Sequence, residues 1–164
     1  MKQSPYLKDD ARLADVIAAI QAMSLYKFYK LDFAGWADRI SGDPSQGEHW
    51  RQLFVQHPEF FRLDSARAKA SLVARRQHPK NYNVDTRNYI EKADFGTLSA
   101  EQKQRISRSP LRQDEIASLI QTAVELHSRA LEQTKDRRWW LPVLTALIAA
   151  ISGIAGTLIG VIVT

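Results

Sequence analysis

The sequence predicts a mainly helical α+β protein: a small domain over 1–76, a connector with a short helix over 77–110, a stalk helix over 111–138 and one C-terminal transmembrane helix over 139–164. Three observations predict it. Apolar residues recur three and four positions apart in several separate windows. Two short aromatic or β-branched runs, EFFRL and ASLVARR, flank the polar stretch DSARAK. After Arg138 no Asp, Glu, Lys, Arg or His follows.

The bulk composition sets bounds. The chain has 164 residues, 25% of them charged, and a formal net charge of +5. That length suits one small cored domain and an appendage. The basic surplus permits contact with phosphates or anionic lipid without demanding it. With no cysteine, disulfides, thiolate metal sites and a cysteine nucleophile are excluded. The opening MKQSPYLKDDARLADV has charges where a signal peptide needs an apolar core, so no signal peptide is expected.

Within 1–76, DDARLADVIAAIQAMSLY places Leu13, Val16, Ile17, Ile20 and Met23 on one helical face. YKFYKLD alternates through Tyr26, Phe28 and Leu31 as a short strand. FAGWADRIS sets Phe33, Trp36, Ala37 and Ile40 on a second helix, and GDPSQG is a turn. EHWRQLFVQHP repeats the helical spacing with Trp50, Leu53, Phe54 and His57, and two strands with a hairpin connection close the series. This order, and the stretch HWRQLFVQHPEFFRLD, resembles a winged helix-turn-helix domain over about residues 8–76.

The resemblance implies a fold that serves either as a DNA reader or as a protein-docking module. For DNA, the second helix of the turn motif would enter the major groove. Arg51, Gln52 and Gln56 are its candidate base-reading residues, and Arg67 and Lys69 in the wing, with Arg62, Arg75 and Arg76, would contact phosphates. Glu48 and Asp43 oppose this, because they stand where the helix start would meet phosphate.

In the connector, Ser99 and Gln102 fit a capping box. The stalk carries Ile116, Leu119, Ala123, Leu126 and Ala130 on one stripe, with His127 beside them as a packing histidine. The final segment, about 26 residues, would span roughly 39 Å as a helix, more than a hydrocarbon core of about 30 Å. Lys135, Arg137 and Arg138 would hold its start on the cytoplasmic side, and Trp139 and Trp140 would sit at the headgroups. The expectation is therefore a single-pass inner-membrane protein with its N-terminal domain in the cytoplasm and the lipid bilayer as a partner. Ala149, Ser152, Gly153, Gly156 and Gly160 form small-residue rows suited to a homo-oligomer in lipid.

The segments RRQHPKNYNVDT, RISRSPL and ELHSRALEQTKDRRWW resemble a group of small bacterial tail-anchored proteins of uncertain role, some labelled amidohydrolase. The resemblance implies no established chemistry. No catalytic residue, metal ligand set or cofactor site is expected: the four histidines are scattered, and neither a G-x-S-x-G elbow nor a Gly-rich phosphate loop is present. Three functions remain open: a membrane-anchored interaction or sensor module with a protein partner, a membrane-tethered DNA-binding regulator, and a membrane-permeabilising effector of antiviral defence.

Overall fold

The computed structural model describes residues 4–136. Helix α1, Arg12–Leu25, buries Val16, Ile20 and Met23 of the expected stripe together with Ala19, while Leu13 and Ile17 are half-buried. Strand β1 is confined to Lys30–Asp32, and Asp32 then caps α2, Phe33–Ser41, by accepting the Gly35 N–H at 2.7 Å. Gly42, at φ 73°, ends α2 in the left-handed conformation that glycine adopts without a Cβ penalty. Asp43 accepts from Ser45 N at 2.9 Å and opens a short 3₁₀ turn into α3, Gly47–Gln56. A side chain at Gly47 would lie 3.2 Å from Ala34 N, so glycine lets α2 and α3 cross closely.

Strands β2, Phe61–Leu63, and β3, Lys69–Leu72, pair antiparallel, with Phe61 opposite Leu72. β1 joins the other edge of β3, so the sheet order is β1-β3-β2. The first three helices pack on this small sheet. Trp36, fully buried, donates its indole N–H to the Ala70 carbonyl at 2.9 Å. Around it stand Trp50, Leu53, Phe54, Phe61 and Leu72. Full burial of a side chain of this size is worth about 1.5–3 kcal/mol, so these residues dominate the domain's stability.

After β3 the chain departs from the expected strand ASLVARR. It turns at Leu72, and Val73–Gln77 forms the short helix α4. In the connector, β4, Tyr82–Asn83, pairs with β5, Ile106–Ser107. Between them α5, Ala100–Gln104, begins with the reciprocal Ser99–Gln102 capping box. Helix α6, Gln113–Asp136, lies along α1 and the 3₁₀ turn Pro5–Leu7. Ile116, Ala123 and Ala130 are buried there, so its apolar stripe covers its own domain.

The fold is thus mixed helix and strand, and the expected transmembrane helix is not supported. No helix among the described residues is long and apolar enough to cross a membrane. α6 has the length, yet Asp114, Glu115, Glu125, Arg129, Glu132 and Lys135 along it would be costly in hydrocarbon. The span expected over 139–164 lies outside the described residues. The tail-anchored, single-pass inner-membrane placement and the bilayer as partner therefore have no support in the described structure.

Candidate docking surface on the third helix

α3 buries Trp50, Leu53 and Phe54 and turns Glu48, Arg51, Gln52 and Val55 outward. These four fall at i, i+3, i+4 and i+7, one continuous stripe. Glu48 Oε1 accepts from Arg51 Nη1 at 3.0 Å and from Gln52 Nε2 at 3.3 Å. One carboxylate thus engages two of the three expected base-reading side chains. Such an exposed pair adds little stability, but its charge stands where a phosphate backbone would approach. Val55, 42% exposed, adds an apolar end to the stripe. Gln56 points elsewhere: it is half-buried, and its Oε1 has no partner among the described residues.

α3 is held in place from both ends. His49 Nε2 meets Asp15 Oδ2 at 3.0 Å and ties the first turn to α1. Asp43, before the helix, has its carboxyl held below the ordinary range by the hydrogen bonds of Ser45. At the far end, His57 is fully buried, and its Nδ1 lies 3.0 Å from Glu59 Oε1. The same oxygen accepts the Tyr6 hydroxyl at 3.1 Å, while the Tyr6 and His57 rings meet edge-on at 4.5 Å. Burial works to raise the Glu59 carboxyl, but the hydrogen bonds from His57, its own backbone and Tyr6 outweigh it and hold it below its ordinary value. Burial, with Glu59 beside it, pushes the Tyr6 phenol well above its usual range.

The loop expected to be a wing connects β2 to β3. Asp64 accepts the backbone N–H of Ala68 at 2.9 Å and of Lys69 at 3.1 Å, and pairs with Lys30 at 3.7 Å. Arg67 sits at φ 55°, an uncommon conformation for a residue with a Cβ. Arg62, Arg67 and Lys69 are exposed and make no ion pair among the described residues. Structure therefore separates the expected nucleic-acid residues: Arg67 and Lys69 make no ion pair among the described residues, whereas Arg51 and Gln52 are engaged by Glu48.

Arg75, expected at a phosphate, is fully buried. It donates from Nε to Ser109 O at 3.0 Å, from Nη1 to Met23 O and Tyr26 O at 2.9 and 2.5 Å, and from Nη2 to Arg108 O at 2.7 Å. Burial lowers its pKa to about 10, so it stays charged at neutral pH. Nothing in the pair Arg75-Arg76 distinguishes the buried member by sequence. The turn at Leu72 decides it.

A second arrangement not foreseen joins His78, Ser109 and Glu115. His78 Nδ1 lies 2.9 Å from Ser109 Oγ, and Nε2 lies 3.2 Å from Glu115 Oε1. Glu115 is held low by the Arg112 backbone N–H. An ionised Glu115 only accepts, so the His78 Nε2 facing it carries a proton. Ser109 is only 6% exposed and its carbonyl is occupied by Arg75, so the trio ties the connector to the start of α6.

Among the described residues, no group of three or more His, Asp or Glu is placed to hold a metal ion. Of the expected membrane-interface residues, Lys135 is exposed in the last turn of α6. Arg137, Arg138, Trp139 and Trp140 lie outside the described residues, as do Ala149, Ser152, Gly153, Gly156 and Gly160. No protein-family model matches the chain, and neither does any curated protein or solved structure.

Proposed function

We propose that residues 8–76 are a winged-helix module that docks a protein partner on the outer face of α3. The order of elements and the β1-β3-β2 sheet support the winged-helix reading. The observation that carries the choice of partner is the engagement of Arg51 and Gln52 by Glu48, next to exposed Val55. A surface of both charges with an apolar end complements another protein better than a uniformly anionic duplex. Duplex DNA is the second reading, favoured by unpaired Arg62, Arg67 and Lys69 on the wing.

The test places a photo-crosslinking residue at Val55 and, as control, at Ala14 on the exposed side of α1. Docking predicts an identifiable protein adduct from the first site, lost with Arg51→Glu. Salt-sensitive duplex binding that falls with Arg67→Asn and Lys69→Gln, without such an adduct, would favour DNA instead.

A further inference from the structure

Between α1 and β1 the chain runs through Tyr26–Tyr29 in neither helix nor strand. Its backbone is held from beneath: Arg75 donates to the carbonyls of Tyr26 at 2.5 Å and Lys27 at 3.5 Å, and Ser107 Oγ accepts the Tyr29 N–H at 3.2 Å. The rings of Tyr26 and Phe28 are half-buried and meet edge-on at 6.2 Å. Each carries a guanidinium over it, Arg39 at 5.1 Å on Tyr26 and Arg105 at 5.2 Å on Phe28. Those two arginine side chains are 50% and 39% exposed. Asp38 lies 3.5 Å from Arg39, and Asp85 takes both Nε and Nη2 of Arg105. Carboxylates meet a guanidinium at its N–H edge, not across its plane. Exposed Lys27 lies 5.5 Å from the Phe28 ring, and buried Arg75 has its charge answered by carbonyls alone. Lys27, Arg39, Arg75 and Arg105 thus outnumber the two carboxylates beside them.

We propose that this strip binds single-stranded nucleic acid, with bases stacked on the outer faces of Arg39 and Arg105 and the phosphate between them beside Lys27. Unpaired bases stack on arginine planes as they do on aromatic rings. The rings beneath fix those planes before a ligand arrives, so little side-chain freedom is lost on binding. The buried charge of Arg75 is poorly screened by salt and adds to the attraction. A duplex would satisfy the charge but keeps its base faces inside its own stack. An acidic peptide brings charge without a planar ring for each arginine. Stacking also differs from edge reading: it uses the guanidinium plane, whereas Arg51 on α3 would need the N–H groups that Glu48 engages.

The inference does not rest on α3, and its test keeps the two apart. Fluorescence anisotropy of the whole chain would be measured with a labelled oligothymidylate of about twelve nucleotides, an abasic strand of equal length and a duplex. The oligothymidylate is expected to bind about ten-fold tighter than the abasic strand. Arg39→Lys with Arg105→Lys keeps both charges, removes both planes and should erase that difference. Lys27→Gln should weaken both strands alike, while Val55→Asp on α3 and Arg67→Asn should leave both unchanged. Equal binding of the abasic strand, or no saturable binding of any strand at low salt, would overturn the proposal. So would a duplex binding as tightly as the single strand, or polyglutamate displacing it equally well, which would make the ligand a duplex or an acidic protein.

Discussion

Arg75 Nε donates to the carbonyl of Ser109 at 3.0 Å, joining α4 to the segment between β5 and α6 across 34 positions of sequence. The rest of the guanidinium takes carbonyls at the end of α1 and just beyond it. One side chain therefore fastens the first helix, the connector and the approach to the last helix.

Arg75→Met should destabilise the protein by about 3–5 kcal/mol, because several buried carbonyls lose their donor together. Arg75→Lys should restore only part of this, since an ammonium has three donors and no planar fork. Urea midpoints of the three proteins measure the effect. A loss under about 1 kcal/mol for Arg75→Met would show that the carbonyls find other partners.

Acid should weaken the fold in a defined window. Glu59 has a folded pKa below its ordinary value of about 4.5, so its contribution is full above that value. It is lost as pH falls through the lower folded value. The urea midpoint should decline below about pH 4.5. Glu59→Gln should flatten part of that decline, and a superimposable acid limb would rule out this source.

Trp36→Phe removes the indole donor to Ala70 O and leaves a void beside it. The expected cost is about 2–4 kcal/mol from the lost hydrogen bond and packing. Calorimetry would register it as a lower melting temperature, with near-native far-UV dichroism.

Gly42→Ala places a Cβ at φ 73° in otherwise open space, so the cost is backbone strain alone, about 1 kcal/mol. Gly47→Ala instead presses on Ala34 at 3.2 Å and moves α2 against α3. Equal losses at the two positions would contradict this division. Thermal melts compare them directly.

Much of the domain was legible in local pattern. The stripe through Val16, Ile20 and Met23, the turn GDPSQG and the Ser99–Gln102 box depend on residues within a few positions of each other, and each formed where spacing placed it. The strands were less legible: YKFYKLD narrowed to Lys30–Asp32, since Tyr26 and Phe28 instead lie under the guanidinium groups of Arg39 and Arg105. Exposure alone marked Arg51 and Gln52 as base readers. The side chain that answers them, Glu48, was visible as an opposing charge but not as their hydrogen-bond partner.

By itself, the sequence determined the apolar faces of α2, α3 and α6 and the absence of cysteine chemistry. The faces follow from periodicity. Tertiary structure alone decided that Arg75 is buried while Arg76 is exposed, that His78 reaches Ser109 and Glu115, and that Asn81 bonds Ile90. Those contacts join residues far apart in the chain, and they are set by how packed elements bring distant backbone groups within hydrogen-bond reach.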